Sequence, residues 1–283
     1  MAVAEYMRLT KETLPWFENF LPEELRKRLA ADKFVFAIGA VENGTACAVL
    51  VAEIWKEGIA NILYLVVAED FRGKGIASGM VDFFSYYADQ QGIAVRCLFS
   101  ASGKEDPIYT FFVDLPDFYI SEEEGYVCRI PLESLTGSQT LMSAEKYEKN
   151  PVSFFSLSSQ QQKIFYRNLS ENGDFYLEDL YSRQKDYCKE LSLCSRKGEE
   201  IQAAIFVRNE KDGLVLDYIW CAPQKQAALI SLLAQAARIV EDKEMQGWLS
   251  IAAVEPQMEK VVEKLFPHRE VTKYFYCAAK EIV

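Results

Sequence analysis

Residues 66–80 read VVAEDFRGKGIASGM. A β-rich apolar run ends near Ala68, and a helical pattern begins near Gly75. Between them stand Arg72-Gly73-Lys74-Gly75. A helix N-terminus presents unpaired N–H groups and a partial positive charge. Glycine admits positive φ and lets the backbone approach an anion closely. Arg72 and Lys74 add charge at the rim. The combination predicts a pyrophosphate cradle between a strand and a helix.

A second stretch answers the first 154 residues later: WCAPQKQAALISLLA, residues 220–234, with no glycine at all. The same offset aligns other features. Asn43-Gly44 falls on Lys197-Gly198, Tyr64-Leu65 on Tyr218-Ile219, Val67-Ala68 on Cys221-Ala222, and VRCLFS (95–100) on LSIAAV (249–254). Towards the end the offset drops to 150, where Leu115 meets Leu265 and Tyr126 meets Tyr276. A shift held over so many elements predicts two copies of one domain with a short deletion.

Each copy reads alike. In the first, FVFAIGAV, ACAVLVAEIW and IANILYLVVA are β-rich runs joined by glycine turns at Asn43-Gly44 and Glu57-Gly58. Ile76, Met80, Phe83, Phe84 and Tyr87 then recur at helical spacing, Gly92 stops the helix, and AVRCLF is a further strand. The second copy places Ile230, Leu233, Ala234, Ala237 and Val240 on one helical face, with Gly247 as the stop. Strands that meander and then cross over through a helix predict a mixed α/β (α+β) fold, each domain a twisted mixed sheet flanked by helices. The polar segment 136–151, TGSQTLMSAEKYEKNP, is the expected linker, dividing domain 1–135 from domain 152–283.

Composition narrows the function. The chain has 283 residues and is half apolar, enough for two ordinary cores. Its net charge of −11 argues against nucleic acid, whose binders need a basic footprint. That charge mildly favours cationic small molecules or basic peptides, though an acidic balance is ordinary for a soluble protein. Glu122-Glu123-Glu124 reads as a solvated turn. The seven cysteines are scattered, without metal-ligand spacing, so a reduced, cytoplasmic protein with no disulfide frame and no metal is expected. The opening MAVAEYMRLTKETLP lacks a basic head followed by an apolar block, and no apolar run approaches the ~20 residues that span a bilayer, so neither signal peptide nor membrane is expected. The single histidine, His268, has no partner motif and reads as structural.

The glycine loop can be told from its rivals by spacing. A phosphate-binding NTPase loop requires Gly-x-x-x-x-Gly-Lys-Ser/Thr, which is not met. A dinucleotide fingerprint requires Gly-x-Gly-x-x-Gly, and Gly79 stands one place late. What fits is Arg-Gly-x-Gly-Ile-Ala, residues 72–77, with Val67 five residues before the arginine. This resembles the acetyl-CoA loop of the GNAT superfamily of N-acetyltransferases, and the resemblance runs in element order from about Tyr6 to Pro131. It implies tandem GNAT-like domains of which the second lacks the loop. It implies a sheet whose central parallel strands splay, with the backbone of Leu65, Val66 and Val67 beside the pantetheine arm. Backbone N–H groups of Arg72, Gly73, Lys74, Gly75, Ile76 and Ala77 would hold the pyrophosphate. Acetyl-CoA would be the cosubstrate, and an amine acceptor, small molecule or peptide, would attack the thioester directly. Backbone N–H from the Val67 strand would steady the oxyanion, and no covalent intermediate would form.

The family's second signature is an asparagine, then a helix ending Leu-Tyr-x-x-x-Gly-Phe, whose tyrosine protonates the leaving thiolate. The corresponding run here is EDPIYTFFVDLPDF, residues 105–118. Phe112 stands where the tyrosine is expected, and Glu105 falls near the asparagine position. Tyr109, one turn earlier, and Tyr119, after the helix, are the candidate general acids. A thiolate is also a fair leaving group unaided, since a thiol has a pKa near ~8.5. Glu53 is the leading candidate base, with Glu69 and Asp70 beside the loop as rivals. The expected function is an N-acetyltransferase whose second copy, with Gln226-Ala227-Ala228-Leu229 opposite Arg72–Gly75, completes the acceptor pocket. The alternative is a non-catalytic CoA-binding or interaction protein of the same fold. The sequence assigns neither the acceptor nor an oligomeric state.

Overall fold

The computed structural model describes residues 4–55, 58–121, 125–138, 141, 151–171, 184–198, 200–211, 213–254 and 256–280, without the side chains of 168–171, 256 and 257. The Glu122–Glu124 run and most of the 136–151 linker lie outside the described residues. The chain forms two compact units. They divide at Gly125 and again at Tyr274, so the first unit holds residues 1–124 with 274–283, and the second holds 125–273.

In the first unit, β1 (Glu5–Arg8), β2 (Val35–Glu42), β3 (Thr45–Trp55) and β4 (Ile59–Val67) form an antiparallel meander. The helix α2 (Ile76–Gln90) then crosses over to β5 (Ala94–Ala101), which lies parallel to β4. The strand β13 (Glu270–Lys280) contributes Tyr274–Lys280, antiparallel to β5 from Tyr274↔Ala101 to Lys280↔Val95. Alternation in the strands supplies two apolar faces. On one, Leu50, Ala52 and Ile62 pack with Ile76, Met80 and Phe84 of α2 and with Phe112 of α3 (Pro107–Val113). On the other, Val49, Val51 and Val35 pack with Phe17 and Leu21, from and beside the 3-10 turn Leu14–Phe20, and with Leu25 and Leu29 of α1 (Glu23–Ala31). The α2 stripe is narrower than its sequence pattern: Tyr87 is exposed. Gly79 owes its place to packing, because a Cβ there would lie 2.1 Å from the Tyr6 hydroxyl.

The second unit repeats the plan. The strands β9 (Leu193–Lys197), β10 (Glu200–Glu210) and β11 (Gly213–Cys221) are antiparallel, and α6 (Gln226–Asp242) crosses over to β12 (Trp248–Ala253), parallel to β11. Antiparallel to β12 runs β7 (Tyr126–Pro131). Thus the strand that closes the first copy in sequence belongs to the second unit, and residues 274–280, which close the second copy, belong to the first. Strand patterning shows that a segment is β, but not which strands it pairs with.

Two irregularities recur at the same places. Between β3 and β4 the register jumps from Val51↔Tyr64 to Ala52↔Ile62, leaving Leu63 as an extra residue. Between β10 and β11 it jumps from Phe206↔Tyr218 to Val207↔Leu216, leaving Asp217 extra, 154 residues after Leu63. Each is a β-bulge, which bends its strand and re-aims the side chains beyond it.

The connections after these strands differ. Eight residues separate β4 from α2, but only four, Ala222 to Lys225, separate β11 from α6. Gln226-Ala227-Ala228-Leu229 stands in the place of Arg72–Gly75 at the 154-residue offset, but as helix and not as loop. Those residues form the first turn of α6, where Ala228 and Leu229 are buried. The span between the flanking strands is equally long in both copies, Ala68 to Ile93 and Ala222 to Gly247, so the second copy loses the loop by substitution: its helix begins four residues earlier than α2 does.

Candidate functional site

The parallel pairing of β4 with β5 lasts only from Ile59↔Ala94 to Asn61↔Arg96. Beyond it, β4 runs on to Val67 and β5 to Ala101 without a shared ladder. The Leu63 bulge falls two residues past the last pair, so the bend that it introduces accounts for the divergence. Between the strands lies a cavity of about 550 Å³. Leu65, Val66 and Val67 line one wall, Cys97, Phe99 and Ser100 the other, and Phe111 and Phe112 of α3 lie along it. Arg72 and Ala77 stand at the cradle end.

The glycine loop reaches α2 through two left-handed residues, Gly73 (φ 73) and Gly75 (φ 76, the N-cap). Ordinary L-residues avoid this region, which is why the sequence carries glycine at both positions. A Cβ at either would meet nothing within 4 Å, so both Cα atoms face open space. The N–H groups of Gly73, Lys74 and Gly75 donate to no backbone carbonyl among the described residues. Those of Ile76 and Ala77 lie in the first helical turn, which has no intrahelical acceptors. Arg72 is the exception: its N–H donates to the Glu69 carbonyl at 3.2 Å.

The side-chain charges are already engaged. The Arg72 Nε donates to the Val67 carbonyl at 3.1 Å and so braces the strand end against the loop, with Glu69 3.9 Å from its Nη1. The Lys74 Nζ lies 3.2 Å from Glu42 Oε2 and 4.7 Å from the Phe71 ring centroid. With both cations engaged, the groups this loop leaves unpaired among the described residues are its backbone N–H groups, at the positive end of the α2 dipole.

Residues 3–104 match the model of the acetyltransferase (GNAT) family. The first unit carries a GNAT acetyltransferase domain. Among curated protein sequences, none matches the chain significantly. Among solved structures, a tandem GNAT protein from the clavulanic acid biosynthesis pathway is 12% identical, with a TM-score of 0.63 over 99% of both chains. The GCN5-related glucosamine N-acetyltransferase region of a fungal multi-domain GH3 β-N-acetylglucosaminidase is 10% identical, with a TM-score of 0.65. That match covers 99% of this chain but only 38% of the fungal one. A GCN5-related N-acetyltransferase from Sphaerobacter thermophilus is 14% identical, with a TM-score of 0.55 over 99% of this chain and 96% of that one. At these identities the likeness is one of fold, and it extends the GNAT plan to both units.

The cleft of this GNAT domain gathers Leu65, Val66, Val67, Arg72 and Ala77, but not the three candidate acid–base residues. Tyr109 is half-buried on α3, edge-on to Tyr276 at 4.9 Å, and does not line the cavity. Tyr119 is exposed in β6 (Tyr119–Ile120), opposite Ala279. Glu53 lies on the α1 face of the sheet, where Arg28 Nη2 holds its carboxylate at 3.0 Å. That ion pair joins residues 25 positions apart, and no local pattern announces it. Glu69 and Asp70 form an exposed 3-10 turn beside the loop.

In the second unit the bulged residue is Asp217, which accepts from the Tyr187 hydroxyl at 2.7 Å and the Arg208 Nε at 3.4 Å. His268 is exposed, in a small cavity with Lys264 and Arg269. Among the described residues, no group of three or more His, Cys, Asp or Glu is placed to hold a metal, and no helix is long and apolar enough to cross a membrane. All seven cysteines are free. Cys97, in the cleft wall, has its pKa pushed up to about 12 by burial and then by the neighbouring Cys277. Its thiolate is negligible at neutral pH, so it is no nucleophile. Incubation with acetyl-CoA is expected to leave Cys97 unacetylated at pH 7.5 by peptide mass spectrometry, and an adduct there would contradict direct transfer.

Proposed function

We propose that the first unit is an N-acetyltransferase that moves the acetyl group of acetyl-CoA to an amine. One observation carries this reading: a glycine-built N–H cradle opens directly into the cleft between two splayed parallel strands. The cradle fits a pyrophosphate, since Gly73 and Gly75 leave it free of side chains and the five successive N–H groups from Gly73 to Ala77 have no backbone acceptor among the described residues. The cleft has room for the pantetheine arm, which the backbone of Leu65, Val66 and Val67 would hold as it would an added strand. Acetyl-CoA supplies the activated acetyl group. The protein's part is to bind it, orient the thioester beside β4 and exclude water with the apolar wall of Phe99, Phe111 and Phe112. In this reading the attack is direct, and the thiolate leaves without a side-chain acid, because Phe112 lines the cleft where a hydroxyl would be needed.

The test is release of the CoA thiol, followed with a chromogenic disulfide, in the presence of a panel of primary amines. Release that depends on an amine supports the reading. Binding of acetyl-CoA with no release above background favours the second reading, a CoA-binding protein without turnover, for which Phe112 is the specific observation. A further outcome follows from the placement of the tyrosines. Tyr109→Phe and Tyr119→Phe are each expected to keep turnover within about twofold, whereas loss of a general acid costs ~10²–10⁴-fold. A tenfold fall in either variant, with acetyl-CoA affinity unchanged, would restore that tyrosine as the acid.

A further inference from the structure

The cradle and α3 lie on the α2 face of the sheet; on the opposite face, that of α1, Leu63, Tyr64 and Val66 are packed against the Phe17 cluster, which leaves the Asn61 end of the cleft on that side for an amine to approach. A row of polar side chains crosses that face at the apex of the splay. Glu53, Asn61 and Arg96 are direct partners on three neighbouring strands. Arg96 donates from Nε to Asn61 Oδ1, and its guanidinium lies 4.5 Å from the Trp55 ring centroid. Glu53 is engaged by Arg28. Among the described residues, no carboxylate lies within ion-pair distance of Arg96. The Asn61 Nδ2, in a side chain only 6% exposed, has no acceptor. The row therefore holds an uncompensated guanidinium and an orphan amide donor side by side, in a chain of net charge −11. The buried Asn61 amide steadies the Arg96 Nε from behind, and a carboxylate, an acceptor-only group with two oxygens, matches the planar fork that Arg96 keeps free of any carboxylate among the described residues.

We infer that the acceptor is an amino carboxylate, held by Arg96 through its carboxylate while its amine reaches the cleft. Arg96 is the specificity determinant, and Asn61 positions its fork. The Leu63 bulge lies two residues from Asn61, or ~7 Å along β4. An amine and carboxylate separated by that span occur in a dipeptide or an ω-amino acid. The inference rests on the acetyltransferase reading and reverses the preference for cationic acceptors suggested by the overall charge.

The test compares matched pairs: glycylglycine with its amide, and 6-aminohexanoate with hexylamine. In the wild-type protein the carboxylate member of each pair is expected to show at least about tenfold higher kcat/KM, and Arg96→Gln to erase that ratio through KM. Acetyl-CoA affinity, read by calorimetry, reports the fold of the variant independently. Equal kcat/KM within pairs, or a preference that persists in Arg96→Gln, overturns the inference while leaving the acetyltransferase reading standing. If no amine releases thiol although acetyl-CoA binds, that reading fails instead. The inference is then judged by titrating 6-aminohexanoate into the CoA-saturated protein: binding that Arg96→Gln abolishes supports it, and absence of binding overturns it.

Discussion

Gly75→Val is expected to weaken acetyl-CoA binding by at least about a hundredfold while leaving the protein folded. Gly75 caps α2 at φ 76, ψ 8. A Cβ there meets nothing within 4 Å, but a β-branched residue cannot hold the left-handed conformation without strain. The backbone would relax towards negative φ and turn the N–H groups of Gly75 and Ile76 away from the site. Hydrogen bonds to a charged acceptor are worth ~1.5–3 kcal/mol each, so two lost bonds exceed the 2.7 kcal/mol that a hundredfold represents. Gly75→Asn should lose much less, because asparagine tolerates the left-handed region. Calorimetry measures both, and thermal unfolding reports the fold. If Gly75→Val bound with wild-type affinity, the cradle assignment would fall.

Ending the chain at Lys273 is expected to abolish acetyl-CoA binding as well, although every cradle residue remains. The removed segment supplies the antiparallel partner of β5 over Tyr274–Lys280. It buries Tyr276, Cys277 and Ala278, stacks Tyr276 on Phe99 with ring centroids 5.5 Å apart, and pairs Lys280 with Asp89 at 3.0 Å. Phe99 lines the cleft. Burial of three such side chains and loss of a seven-residue ladder together approach the ~5–15 kcal/mol by which a domain is stable at all. The shortened chain should show a lost or strongly lowered unfolding transition for the first unit. Unchanged affinity in it would mean that β13 contributes nothing to the site.

Much of this was legible in the residues. The strands over 35–42, 45–55 and 59–67 follow alternation and glycine turns, and Arg72-Gly73-Lys74-Gly75 marks the cradle because positive φ has a chemical signature. The 154-residue offset was readable too, and it survives down to the bulges at Leu63 and Asp217. Long-range partnership was not readable. That Tyr274–Lys280 completes the first unit depends on which sheet edge is open, and alternation says nothing of that. The Arg28–Glu53 pair and the Asn61–Arg96 bond join residues far apart in the chain, so Glu53 read as an available base when its charge is already committed. The earlier start of α6 was hidden because an alignment in register does not show that Gln226–Leu229 turn helical where Arg72–Gly75 form a loop. Tyr109 shares α3 with Phe112, but only packing shows that its ring turns to Tyr276.

The most direct measurement is the stoichiometry of acetyl-CoA binding to the full chain by isothermal titration calorimetry. The shortened β11–α6 connection and the intact Gly73–Gly75 loop together predict one molecule per chain, lost in Gly75→Val. Two molecules per chain, or none, would contradict the assignment of a single donor site to the β4–β5 cleft.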